Sequence, residues 1–403
     1  MPHYRQHNNF YKRQGAALML MLTILVIGAA ALLVSSLSHS AAQIERDQKT
    51  ADVLAHAKEA LIGDAVSQTP ITSAGYLRLP DLGFGIGLTP SEGSAAPNFS
   101  GNSKDYSVIG KLPWKTLGLE SLRDGQGECL WYIVSGHFKN TPTTDTLNWD
   151  TQGQINLADG NGNIIANNLA ALVVAAGHPL DGQNRALSDP TYAQCGGNYD
   201  AHNYLDPYVS SDAISGAINY FIGSTNNRIT LNASNNLLVM TSSGHYNDRF
   251  LFITTDEIFR VVMRRTDFSV QVSALLNDTY FQSVVIAGAK GTDNVNCNLL
   301  GSSNRAFCKN WIEMVLLTQL PTPAPVTIDG VPTATCSRIL LFGGQKNVTQ
   351  LRLTTANKAT PSNYIEGANL SAFATPVAFA SSFSGVSVFS SKSPSADVLK
   401  CLS

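Results

Sequence analysis

Between Ala16 and Leu37 the chain reads AALMLMLTILVIGAAALLVSSL, without one charged residue. A helix of that length reaches about 33 Å at 1.5 Å per residue, the thickness of a bilayer's hydrocarbon core. A segment apolar on every side has no face to offer water, so the rest of the chain must be arranged at one end of a membrane-length helix. Arg5, Lys12 and Arg13 precede it with no Asp or Glu, and the positive-inside bias then keeps the N-terminus cytoplasmic and sends the bulk of the chain across.

Three readings fit this segment. A secretory signal peptide has a shorter apolar core, but Ser38-His39-Ser40-Ala41-Ala42 offers the small residues of a cleavage site. An uncleaved signal anchor needs only the length and the basic flank. The third rests on Lys12-Arg13-Gln14-Gly15-Ala16-Ala17-Leu18. A basic tag, a Gly and then an unbroken apolar helix resembles the class III signal of type IV pilins and type II secretion pseudopilins. The resemblance implies that a prepilin peptidase cuts after Gly15 and methylates Ala16. Most members have Phe first and Glu fifth in the mature chain, where this sequence has Ala16 and Leu20. In the family the fifth-position carboxylate pairs with a neighbour's N-terminal amine, and a buried charge without its partner costs several kcal/mol. Tip-located K-type minor pseudopilins and some PilX-type minor pilins also lack it, so the resemblance points to a minor subunit.

Charged residues make up only 14% of the 403, which suits an exported β-rich protein better than a cytosolic helical one. Removing the leader's three basic residues leaves 24 against 29 acidic, net −5, so no basic field remains to hold nucleic acid. Cys129, Cys195, Cys297, Cys308, Cys336 and Cys401 all follow the apolar segment and form no CxxC or other zinc-like spacing. An even number in an exported domain argues for disulfides. Of the 15 pairings the sequential one is expected, because Cys297 and Cys308 bracket a short Gly/Ser/Asn loop.

Residues 38–66 continue the helix: Ile44, Ala51, Leu54, Ala55, Leu61, Ile62 and Ala65 recur at three- and four-residue steps opposite a charged side. The narrow stripe needs a partner surface, as does the stem of a pilin. Residues 67–109 read as an irregular Gly/Pro/Ser-rich loop; its Gly83-Phe84-Gly85-Ile86-Gly87 lacks the strand and helix of a dinucleotide site. Residues 110–254 read as a β-rich head, with turns at Pro113-Trp114 and Asp124–Gly127. Its strands are expected at Cys129–Val134, at Gln154–Leu157 and Ile164–Ala166 as a hairpin, at Leu169–Ala176 and at Phe250–Thr254. The stretch around Asp124 resembles the region after the stem in pilin-like proteins, with Gly125 where Trp is common. Residues 255–403 read as helical, then β-rich. One helix runs from a Thr255 N-cap toward Tyr280, a second spans Asn304–Leu320, Pro321–Pro325 is a stiff spacer, and strands follow at Ser337–Phe342 and within the aromatic-dotted Leu370–Ser390.

Asp159, Asn161 and Asn163 alternate as in a calcium loop, but Ile164 and Ala170 stand where such a loop needs Gly and Glu. HExxH, GxxxxGK[ST] and GxSxG motifs are absent, and Ser242, Ser243, His245 and Asp248 read as a polar loop rather than a triad. No enzyme, metal or cofactor is expected. The chain is thus expected to be α+β, with a leader at 1–15, a transmembrane helix at 16–37 running into an amphipathic stem, a large antiparallel head, and two or so further helices. A split into two heads near residue 250 is the alternative. The resemblance implies a single-pass inner-membrane subunit that joins or caps a type IV pilus or type II secretion filament. Its implied partners are the prepilin peptidase, other pilin or pseudopilin subunits and the inner-membrane assembly platform. A membrane-anchored periplasmic binding or adhesion module outside any filament is the rival class.

Overall fold

A computed structural model describes residues 10–403 except 84–90, 99–105, 144–145, 159–162, 187–193, 196–197, 207–219, 223–235, 239–246, 285–288, 291–294, 325, 334, 368 and 371–382. Helix α1 (Phe10–Ser67) runs unbroken, so it starts ahead of the expected boundary at 16. For 10–17, 33–36, 38 and 39 only its backbone is described. Among the described residues no helix is long and apolar enough to cross a membrane. The span expected at 16–37 is therefore not found there. Its uninterrupted described side chains, Leu18–Leu32, would cover only about 22 Å of a roughly 30 Å core.

The buried stripe of the second half of α1 is Thr50, Leu54, Ala57, Leu61 and Ala65. Of the expected stripe, Ile44, Ala51 and Ala55 face outward. Small alanines suit either side of a helix, and the position of the head decides which are covered. The stripe packs on a five-stranded sheet built from β1 (Tyr106–Lys111), β2 (Trp131–Val134), β5 (Ala171–Ala175), β6 (Tyr220–Ile222) and β8 (Arg249–Ile253), ordered β6-β1-β2-β5-β8 and antiparallel throughout. Alternation sends Val108, Tyr132, Val134 and Val173 to the α1 side, and Ile109, Trp131, Ile133 and Leu172 to the other. That second face is covered by a smaller sheet of β3 (Ile155–Ala158), β4 (Ile164–Leu169) and β7 (Asn236–Leu238), in which β3 is central. With both faces covered, strands such as Trp131–Val134 read as continuous apolar runs.

The loop expected at 67–109 is not irregular exterior. Leu77, Leu79 and Ala96 are buried, Leu77 bridges Lys139 and Asp81 bridges Lys111, and β1 begins inside its boundary. Its few apolar residues line the sheet's edge, which composition averaged over a Gly/Pro-rich window conceals.

After β8 come α2 (Thr255–Val262), α3 (Thr266–Leu276) and α4 (Tyr280–Ser283), where one continuous helix was expected. The N-cap is Thr254, one residue before the expected Thr255, in a reciprocal capping box with Glu257. The break falls at Arg265, whose extended backbone lets its guanidinium donate to the Val66 and Gln68 carbonyls at the end of α1. Residues 304–320, expected as one helix, are instead the end of α5 (Ser302–Trp311), a short turn, and most of β10 (Val315–Ala324). The run Val315-Leu316-Leu317 suits either element alone. It becomes a strand between β9 (Ala289–Lys290) and β13 (Cys336–Phe342), and Pro321 and Pro323 lie in that strand rather than in a spacer.

β15 (Val398–Leu402) completes the second sheet, ordered β15-β13-β10-β9. A minor sheet joins β11 (Thr327–Ile328), β12 (Val331–Pro332) and β14 (Ser384–Gly385), and α6 (Thr355–Lys358) is a single turn. Of the segment Leu370–Ser390, Phe383 and Phe389 are core, while Phe373 and Phe379 lie outside the described residues. One buried cluster runs from Leu54 to Leu402 without interruption near residue 250. Trp149 fastens it: its ring meets those of Trp311 (4.6 Å), Phe342 (6.1 Å) and Phe389 (6.2 Å), all from the far side of the proposed split. The molecule is α+β; its two larger sheets are antiparallel, and each of the two small ones contains one parallel pair, β3–β7 and β11–β14.

Candidate functional site

The two halves of α1 meet different surroundings. Leu18, Met21, Leu25 and Leu32 are 69–75% exposed and Ile44 is 68% exposed, so this apolar part of the helix is left uncovered by the described residues. Lys12, Arg13, Gly15 and Ala16 lie in the same helix with side chains outside the described residues, and Arg5 lies outside them altogether.

The second half is fixed to the head at four levels. Arg249 of β8 pairs with Asp47 at 2.8 Å on the surface. The Thr50 hydroxyl accepts the Gly125 N–H at 3.0 Å and donates to the Arg46 carbonyl at 2.8 Å. Lys58 pairs with Glu257 at 2.5 Å. Burial alone would raise the Glu257 carboxyl, but the Lys58 bond and the Thr254 N–H outweigh it and hold the group below its ordinary value. Arg265 closes the end of the helix. At Gly125 a Cβ would stand 2.2 Å from the Arg46 carbonyl oxygen, so this turn touches α1 backbone to backbone. That close approach leaves no room for a side chain at Gly125.

The cysteines join in sequence order: Cys129–Cys195, Cys297–Cys308 and Cys336–Cys401. Behind the first bridge lies a buried pair that sequence reasoning did not single out. Asp81 accepts from the Gly83 and Gly93 N–H groups and the Tyr199 hydroxyl. Burial raises it to about 6 against those bonds and the nearby Lys111. The Lys111 amine is pushed down to about 8 by burial, opposed by Asp81, and donates to the Cys195 carbonyl. This network ties the loop after α1 to β1 and the disulfide; it is buried and acts as a structural pin.

A polar cleft of about 390 Å³ opens beside the β3–β4 hairpin. Residues 151–157 alternate in burial, with Thr151, Gly153, Ile155 and Leu157 inside and Gln152, Gln154 and Asn156 partly exposed along the cleft. Gly153 passes so close to β4 that a Cβ would overlap the Leu169 carbonyl. Asn168, across the hairpin with a left-handed φ of 54°, donates its N–H to the Asn156 side chain at 3.0 Å. At one end Asp150 and Arg352 form a fully buried ion pair at 3.1 Å. Burial raises the Asp150 carboxyl, opposed by that guanidinium. Lys358 at the rim is held by both oxygens of Glu313. The period-two Gln/Asn row was readable in the sequence, but nothing there placed Lys358 and Leu353 opposite it.

Ser242, Ser243 and His245 lie outside the described residues, as do Asp159 and Asn161, so neither loop is seen whole. Asp248 caps the Asp206 N–H at 2.7 Å. Among the described residues no group of three or more His, Cys, Asp or Glu side chains is placed to hold a metal ion. Comparison with protein-family models, with curated proteins and with solved structures finds no match to this chain.

Proposed function

We propose that the chain is a minor pilin- or pseudopilin-like structural subunit. It is anchored in the inner membrane by residues 16–37, cut after Gly15 by a prepilin peptidase, and built into or onto the end of a type IV pilus or type II secretion filament. The observation that carries the reading is one helix of two characters. Its second half is seated on an antiparallel sheet, while Leu18–Leu32 in its first half are uncharged and exposed all round, and the sequence continues that character to Leu37. Such a surface calls for lipid or for the equally apolar helices of neighbouring subunits. The three disulfides suit an oxidising compartment on the far side of that membrane. With Leu20 in place of a carboxylate, the helix has no charge to pair in a bundle and fits a position with a neighbour on one side only.

Mass spectrometry of the membrane-extracted protein tests this. The mature chain is expected to begin at Ala16, N-methylated, and Gly15→Trp is expected to accumulate an uncut precursor in the same membrane. A start near Ala42 indicates a released protein, and an intact N-terminus indicates a plain anchor; either result ends the peptidase reading. Given the cut, co-purification with pilin or pseudopilin subunits separates filament membership from a free-standing periplasmic binding module.

A further inference from the structure

We propose that the cleft beside β3 and β4 binds a neutral, hydroxyl-rich ligand, a mono- or oligosaccharide segment. The site belongs to the head and stands apart from how the helix is anchored.

The first argument is the amide row. Gln152, Gln154 and Asn156 lie on one side of an extended segment whose other side is core, and Asn168 faces them from β4. Each amide carries both donors and an acceptor at fixed spacing, the pairing that neighbouring hydroxyls on a sugar ring require. Native chains seldom leave buried polar atoms without partners, yet among the described residues Gln154 Oε1 and Asp150 Oδ1 have none. Both belong to residues that line this cleft, and Asp150 is only 4% exposed.

The second argument is charge. The titratable side chains lining the cleft each have a partner already, Lys358 in Glu313, Asp150 in Arg352 and the His137 ring in the Gln152 carbonyl at 2.8 Å. An ionic ligand would have to compete with a partner in place, whereas a neutral one need not. The third is shape. Leu353 lines the cleft and is 51% exposed, an apolar surface for the C–H face of a ring, and about 390 Å³ falls within the range of small-ligand pockets. An extended peptide is disfavoured because both edges of β3 are occupied, by β4 on one side and β7 on the other. At Leu157 and Ala158 both ladders are taken, so a strand cannot be added there.

The test is saturation-transfer NMR on the full chain in detergent micelles. The probes are neutral hexoses, N-acetylhexosamines and their disaccharides at millimolar concentration, beside a uronic acid and an extended polar peptide. Transfer is expected to at least one neutral sugar. It should fall about tenfold or more in affinity in Gln152→Ala, and fall also in Leu353→Ala, with melting temperature and the three disulfides unchanged in both. Gln152 and Leu353 are partly exposed, so the variants should fold; if either melts lower, Gln152→Glu, which keeps the side chain's shape, is read in its place. Three results overturn the proposal: no transfer to any neutral sugar, transfer that the variants leave unchanged, and preferential transfer to the uronic acid or the peptide.

Discussion

Residues 18–32 and residues 50–65 belong to one helix, share its backbone geometry, and are both rich in Leu and Ala, yet they end in opposite environments. In the second stretch apolar residues form a stripe one side chain wide, flanked by Arg46, Asp47, Lys58 and Glu59, and the head covers that stripe. In the first there is no polar flank and no part of the described chain covers it. Burying a Leu side chain stabilises by roughly 1.5–3 kcal/mol, so Leu54 and Leu61 contribute to the head's own stability. Leu18, Leu22 and Leu25 can contribute only where something other than the described residues covers them. The contrast separates what holds the molecule together from what it offers to its surroundings.

The strongest test of that contrast is to truncate both stretches. Leu61→Ala, fully buried, is expected to cost about 2–5 kcal/mol in denaturant unfolding of the detergent-solubilised protein. Leu25→Ala, which is 73% exposed, should stay within about 0.5 kcal/mol. Comparable losses at both sites would show that the first stretch is packed on the head after all. Gly125→Ala comes next. Its Cβ meets a main-chain oxygen at 2.2 Å, and moving the helix away is expected to cost about 1–3 kcal/mol, together with faster hydrogen exchange at residues 46–54. Unchanged exchange there would mean the turn does not bear on the helix.

Smaller effects come from the helix end and its ion pair. Arg265→Ala strips the donors from the Val66 and Gln68 carbonyls, with an expected loss of about 1–2 kcal/mol, read as fraying of the last turn. The Lys58–Glu257 pair, 18% and 36% exposed, should show a coupling of only about 0.2–1 kcal/mol in a double-mutant cycle. Because Glu257 is held below its ordinary value of 4.5, its contribution is present above that pH and is lost as pH falls through the lowered folded value. Lys58→Met should flatten the acid limb of the stability profile. An unaltered limb would assign the acid sensitivity to other carboxylates.

Part of this was legible beforehand because the signals are local. The short Cys297–Cys308 bridge, the β3–β4 hairpin and the strand at Trp131–Val134 follow from turn residues, spacing and continuous apolar character over a few positions, whereas the pairing of the other four cysteines, 65 and 66 residues apart, does not. The errors share a cause as well. The run Val315–Leu320 satisfies helix and strand patterns equally, and only its place between β9 and β13 decides. The break at Arg265 has no breaker residue in the sequence, since the guanidinium goes to the end of a helix some two hundred positions earlier. The cleft is the same case: Gln152, Gln154 and Asn156 announce one wall by their spacing, while Asp150, Leu353 and Lys358 arrive through the buried ion pair with Arg352.

By itself the sequence determined that the chain has an uncharged helical segment before an α+β body, that the body is rich in antiparallel strands, and that six cysteines stand where bridges can form. These follow from composition, periodicity and turn chemistry, which act over a few residues. The tertiary structure decided which side of the stem is covered and why Gly125 must lack a side chain. It also decided that Trp149 draws two candidate heads into one core, and that an amide row becomes the wall of a cleft. Each depends on groups tens to hundreds of residues apart being brought within contact distance, and the free energy of that packing overrides local preference wherever the two disagree.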